Sequence, residues 1–266
     1  MRGSIQALGR LVGGLYLVLL YLFVMGPLLF VIATSFNPAT SFPARFEGFT
    51  LSWYAAIFER PEFLAATGTS ALVAALAAAL AVLVAFLSAY ALSRKGGAGG
   101  RGAMATLLAS PLLVPQVVVS LAILQLASAF GIGTGFWGLV AAHAVYVMPF
   151  ALRLILTGFA RFDFAVEEAS RSLGGGPLAT WREVTLPLLR PSLVAGFTFC
   201  FILSFVNLPL SLFLTSPETA TLPIVMFAYI ESRIDPMIAA VASLIVLAAA
   251  TATLLLDRFL RVRLVD

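Results

Sequence analysis

Cysteine and histidine are almost missing from this 266-residue chain: Cys200 and His143 stand alone. A lone cysteine inside an apolar run excludes a disulfide framework, and one histidine beside it leaves no Cys-based metal site. Charge is scarce too. Asp, Glu, Lys and Arg make up 11% of residues, against about a quarter in a soluble domain. No Asp or Glu falls inside any long apolar run, so a carboxylate-driven reaction at membrane depth has no acid to use. A nucleotide-binding loop is lacking as well. Gly96–Gly102 is glycine-rich, but no strand precedes it and no Lys-Ser or Lys-Thr closes it. Repeats, low-complexity segments and internal duplication are all absent.

What fills the chain is apolar: 61% of residues are hydrophobic. Runs of 18 or more apolar residues read as transmembrane helices. Six are expected, at about 11–34, 63–92, 103–130, 136–157, 192–214 and 237–256, forming one transmembrane domain over 1–266. The expected fold is an all-α membrane protein. The first run is too long for a signal-peptide core and is read as a retained helix. Pro27 is expected to kink it. Ser52 is expected to cap a short interfacial helix over WYAAIF, with Trp53 and Tyr54 at headgroup level.

Six spans put both termini on one side, and the cations then divide unevenly. Arg2, Arg10, Arg94, Lys95, Arg101, Arg153, Arg161, Arg171, Arg182, Arg190, Arg258, Arg261 and Arg263 share that side, 13 of the 16 Lys and Arg. Arg45, Arg60 and Arg233 lie opposite. The positive-inside rule makes the richer side, with both termini, cytoplasmic. The net charge of +4 is therefore a topology signal and not a nucleic-acid footprint.

One polar passage interrupts the cytoplasmic side, DFAVEEASRSLGGGPLATWREVTLPLLRP, from Asp163 to Pro191. Asp163 can cap a helix over 164–173, with Glu167 and Glu168 at the positive end of its dipole. Phe164, Ala165, Ala169 and Leu173 are spaced to share a face, with Glu167, Ser170 and Arg171 tending elsewhere. Gly174-Gly175-Gly176 must stop that helix. Pro177 then suits the first turn of a second, which Pro187 and Pro191 are expected to end. On composition alone such an element is an interfacial amphipathic linker.

Its spacing says more. Glu168-Ala169-Ser170, three residues, Gly174, nine residues, then Val184-Thr185-Leu186-Pro187 resembles the EAA loop of ABC importer permeases, with Ser170 for the second alanine and Val184 for isoleucine. SFNPATSF with FEGFTLSWYAAIF, and LFLTSPETATLPIVMFAYIESRIDPMIAAVASLIV, are similar to the first and last external loops of the spermidine/putrescine-type permeases. The resemblance implies a type I importer permease of the bacterial inner membrane. It further implies that 163–187 is a coupling element, with Asp163, Glu167, Glu168, Ala169, Ser170, Gly174, Leu186 and Pro187 at the contact with an ATPase. Implied partners are two ATPase subunits holding ATP and magnesium, a second and distinct permease, and an external solute-binding protein. This chain itself is expected to bind no cofactor and no metal.

Polar residues inside the spans are candidates for a solute path: Gln116, His143, Tyr146 and Asn207, with Gln125. Polar groups at that depth usually face the bundle interior or an aqueous cavity. The bland reading of each is an interhelical hydrogen bond, worth about 0.6 kcal/mol on average. Asn207 is the most suggestive, because Pro209 breaks the helix ladder beside it. Polyamine permeases often carry acidic residues in this stretch, where Val206 and Asn207 stand here. A polyamine-like solute is the first expectation, with an amino-acid, opine or aminophosphonate solute as the alternative. An intramembrane enzyme or an ion-coupled transporter would have to rest on His143 alone.

Overall fold

The computed structural model describes residues 2–39, 46–94, 110–131, 135–233 and 235–260. Among these, all regular structure is helical. Five helices are long and apolar enough to cross a membrane: Arg10–Thr34, Pro61–Arg94, Phe136–Ala160, Pro177–Phe205 and Met237–Leu255. The chain divides into two compact units, Met1–Pro61 with Ala228–Ala248, and Glu62–Phe227 with Ala249–Asp266.

In the first unit, helix α1 (Arg2–Thr34) runs through Pro27 without interruption. Its described side chains from Arg10 on are mostly exposed, which suits an apolar helix facing lipid or another subunit. The segment after it is tied down by side chains. The Tyr54 hydroxyl meets Ser35 Oγ at 2.7 Å, Trp53 Nε1 donates to the Asn37 carbonyl at 2.8 Å, and Phe36 stacks on Phe49 at 4.8 Å. Both aromatics expected at the interface thus anchor this segment. Helix α2 (Ser52–Phe58) takes in the residue expected to cap it: Ser52 is already helical, Leu51 holds the cap position without a side-chain cap bond, and Thr50 Oγ1 accepts from the Ser52 N–H at 3.1 Å. Elsewhere in this unit Arg60 lies over the Tyr229 ring, and the Tyr229 hydroxyl donates to Asp235 at 2.6 Å.

The second unit is built around three long helices. Helix α3 (Pro61–Arg94) presents one buried alanine stripe, Ala74, Ala77, Ala78, Ala81, Ala85 and Ala89. Its leucines at 72, 80, 83 and 87 are exposed, so small residues face protein and large apolar ones face outward, as close helix packing in a membrane requires. After the 3₁₀ turn Ser110–Leu113 comes α4 (Gln116–Ala129), then α5 (Phe136–Ala160). The third expected span is therefore broken between Pro111 and Pro115, and its first residues, with the glycine-rich turn before them, lie outside the described ones.

Helix α5 packs antiparallel against α7, the continuous helical run Pro177–Phe205. Cys200 Sγ donates to the Val147 carbonyl at 3.3 Å. Where the pair comes closest, a Cβ on Gly158 would sit 2.8 Å from the Ser192 Cβ, nearer than real carbons approach, so only glycine fits. Leu139, Val147, Ala151, Ile155, Leu189 and Cys200 fill the core between these helices and α3.

The path of α7 corrects two expectations. Pro187 and Pro191 do not end a short helix; the chain stays helical from Pro177 through both. A π turn, Trp181–Thr185, accommodates Pro187, with the Leu186 N–H bonded to the Trp181 carbonyl five residues back, while Pro191 lies within the regular helix that follows. Proline lacks a donor and crowds the carbonyl four residues earlier, and one wider turn relieves both faults. The fifth span is also not one helix over 192–214. It stops at Phe205, and α8 (Leu208–Leu214) starts afresh with Pro209 near its N-terminus, where no N–H is needed. Helices α9 (Leu222–Ser232) and α10 (Met237–Leu260) are the last helices among the described residues.

Candidate functional site

The polar passage folds as helix, glycine turn, helix. The first piece, α6, spans Ala165–Ser172. Asp163 Oδ1 accepts from the Ala165 N–H at 2.9 Å, but the helix begins one residue later than expected and Phe164 holds the cap position. Its end is a Schellman turn. The Gly174 N–H bonds to Arg171 O and the Gly175 N–H to Ser170 O, both at 3.0 Å, with Gly174 at φ +90°. That left-handed conformation costs other residues about 1–2 kcal/mol.

The faces of α6 are reversed from the expected pattern. Glu167 is fully buried, whereas Val166, Ala169 and Leu173 are exposed, Leu173 by 90%. Partners explain the inversion. Glu167 Oε2 accepts from Arg94 at 2.5 Å and from the Tyr90 hydroxyl at 3.1 Å, and Oε1 accepts from Thr185 at 2.6 Å; Arg171 stands 4.0 Å away. A buried carboxylate is tolerated when paired and fully hydrogen-bonded, and here both oxygens are. This one side chain joins the end of α3, helix α6 and the π turn of α7. Ser170 adds a second tie, its hydroxyl 3.2 Å from that of buried Thr180.

Under these bonds lies an aromatic cluster. Trp181 meets Tyr90 edge-on at 4.9 Å and Phe86 at 5.5 Å, and Phe159 packs with Phe86, Tyr90, Phe162 and Phe164 at 5.8–6.1 Å. The Arg94 guanidinium covers Tyr90 and Phe164 at 5.2 and 5.6 Å. Such contacts add about 0.5–1.5 kcal/mol each beyond burial. The turn is thus carried on a rigid base. Glu168, Ala169, Gly174, Leu173, Leu178, Leu186 and Pro187 are left exposed on it.

The span-depth polar residues gather elsewhere. His143, on α5, is 1% exposed. Its Nδ1 lies 2.8 Å from Ser204 Oγ and its Nε2 3.3 Å from Ser211 Oγ. Ser204 precedes the gap between α7 and α8, and Ser211 follows it. Asn207 sits in the gap, buried, with Oδ1 accepting from the Leu210 N–H at 2.9 Å, so it caps α8. Gln116 donates its amide to the Tyr146 hydroxyl, linking α4 to α5. Gln125 is exposed on α4. No group of three or more His, Cys, Asp or Glu among the described residues could hold a metal.

The residues expected to couple lie in one element, as their spacing predicts, but the sequence alone did not show what holds that element. Tyr90, Arg94 and Trp181 lie far from it in sequence or read as ordinary interface residues. Arg94 in the last turn of an apolar helix was the one available hint.

Comparison with known proteins follows the same lines. The model of the family described as "Binding-protein-dependent transport system inner membrane component" matches residues 81–264. The spermidine/putrescine transport system permease protein PotC of Escherichia coli (strain K12) is 28% identical over 238 residues, covering 90% of this chain and 89% of that protein. The putrescine transport system permease protein PotI of the same strain is 29% identical over 235 residues, covering 86% and 83%. In fold, the crystal structure of a bacterial ABC transporter involved in the import of the acidic polysaccharide alginate aligns with a TM-score of 0.74 at 16% identity, over 96% of this chain and 97% of that one. With well over half its length matched by the family model, the chain belongs to the binding-protein-dependent transport system inner membrane components, and it is the permease component of an ABC importer.

Proposed function

We propose that this permease imports a small organic cation of the polyamine class. The observation that carries the reading is similarity to PotC and PotI along nearly the whole chain. An external binding protein delivers the solute and two ATPase subunits power its passage. The second permease is a distinct, homologous chain. Six spans place both termini in the cytoplasm, the described part of α4 contributing to the third. The 163–187 element docks on an ATPase, with Glu168, Leu173 and Gly174 outermost and Glu167 holding them from behind. ATP-driven closure of the ATPase pair moves this element, and the spans alternate between inward and outward access. Solute passes near the α7–α8 gap, where Asn207, His143, Tyr146 and Gln116 supply polar groups. The chain performs no catalysis and binds no cofactor of its own.

A second reading has its own support. The putative 2-aminoethylphosphonate transport system permease protein PhnV of Salmonella paratyphi A is 34% identical over 121 residues, 44% of this chain. The spans hold no carboxylate to favour a dication. Proteoliposomes carrying the whole transporter and its binding protein separate the two. ATP-dependent uptake of putrescine or spermidine, with no uptake of 2-aminoethylphosphonate, is expected; the reverse selects the second reading. Uptake driven by an ion gradient without ATP would defeat both.

A further inference from the structure

Beside the glycine turn is a pocket whose wall includes none of Glu168, Leu173 and Gly174, the residues placed outermost at the ATPase contact. Tyr90, Arg94, Arg171, Pro177, Leu178 and Trp181 line an open cavity of about 410 Å³. The pocket has an excess of positive charge. Two guanidiniums converge on a single carboxylate, Arg94 at 2.5 Å and Arg171 at 4.0 Å from Glu167 Oε2. That carboxylate also accepts from Tyr90 and Thr185. A guanidinium has five donors. Among the described residues Glu167 is the one acceptor either arginine meets, and Arg171 stands beyond hydrogen-bond reach of it. Both side chains keep solvent contact, 31% and 41% exposed.

The setting specifies the ligand further. Arg94 ends a 34-residue apolar helix, so the pocket opens where that helix leaves the hydrocarbon. Trp181 and Tyr90 are the amphipathic rings favoured at headgroup level, and Pro177 with exposed Leu178 forms an apolar lip. A planar guanidinium braced on Tyr90 and Phe164 is shaped for two oxygens of one phosphate.

We propose that this pocket binds a phosphate group, supplied by the headgroup of an anionic phospholipid in the cytoplasmic leaflet. Arg171 is the principal donor, Arg94 the braced second one, and the acyl chains leave over Leu178. The assignment adds a lipid contact to the coupling element and rests on its cytoplasmic placement.

The test uses the complete transporter in nanodiscs of phosphatidylcholine with a rising fraction of phosphatidylglycerol, read by native mass spectrometry. The wild-type complex is expected to retain phosphatidylglycerol in preference to phosphatidylcholine. Arg171→Gln is expected to lower that retention about tenfold, as loss of one charge-assisted hydrogen bond implies, and Arg171→Glu to abolish it. Amide exchange over 165–185 should be unchanged in both, which keeps a folding defect distinguishable. Millimolar inorganic phosphate distinguishes the sources: no displacement of lipid supports the headgroup, and displacement assigns the same site to a soluble phosphate. Equal retention in wild type and both variants would overturn the proposal. So would loss of ATPase subunits from the variants with lipid retention intact, which would give the pocket to an acidic side chain of the ATPase.

Discussion

Glu167 and Glu168 are neighbours with opposite surroundings. The first is sealed among Tyr90, Arg94 and Thr185; the second is open to solvent. Their alanine variants should fail differently. Glu167→Ala leaves Arg94 and Thr185 without their acceptor. Breaking a fully buried pair costs about 3–5 kcal/mol, but Arg94 is 31% exposed and can rehydrate, so about 1–3 kcal/mol is expected. Amide exchange over 165–185 should then quicken roughly ten- to hundredfold. Glu168→Ala should leave exchange unchanged, within about 0.5 kcal/mol, while ATP-coupled uptake falls. Identical exchange profiles for the two variants would contradict this division of roles. No local signal of burial distinguishes the two glutamates, because both sit in the first turns of one amphipathic helix. Burial of Glu167 is decided by an arginine 73 positions away, and sequence periodicity carries no trace of that.

Helices and turns were legible where the backbone itself sets the rule. Gly174 had to end α6 because a left-handed residue was needed there, and it does so at φ +90°. Gly174→Val should therefore lose about 1–2 kcal/mol, read as a lower melting temperature of the purified complex and weaker ATPase retention. The prolines misled for the opposite reason. Proline argues for a helix end only if the preceding turns are regular, and the π turn at Trp181–Thr185 removes that premise for Pro187. The α7–α8 gap was signalled by Pro209, but its fastening was not. His143 spans it, reaching Ser204 on one side and Ser211 on the other. Ser211 also donates to the Asn207 carbonyl at 2.9 Å, so loss of the imidazole leaves it partly satisfied. His143→Leu should cost about 1 kcal/mol, between the membrane average and an unsatisfied pair, or about 2–4 °C in melting temperature. An altered solute preference in the same variant would place His143 at the solute path as well as at the gap.

For the molecule as a whole, membrane character and helical class followed directly from composition, since few other folds accommodate so little charge. Orientation rests on the division of 13 cations against 3. The sole cysteine offers a direct check. Cys200 is buried and donates to Val147, so it should ignore a thiol reagent in the intact protein. Glu183→Cys and Glu218→Cys, both at exposed positions, then report alone. A membrane-impermeant maleimide applied to intact cells should label position 218 and leave 183 unlabelled until the membrane is opened. Labelling in the reverse order would invert the topology.

The uninterrupted run of α7 from Pro177 to Phe205 has a mechanical consequence. Twenty-nine helical residues make a rod about 43 Å long at 1.5 Å per residue, stiff along its axis and braced by α5. A jointed linker at Pro187 would absorb a push at its outer end as bending. A rod delivers the same displacement, undiminished, to its far end, which is the His143-fastened gap at Asn207. Slack could enter at the wider turn Trp181–Thr185 and at Pro191, which lacks a donor, and Glu167 clamps the first of these through Thr185.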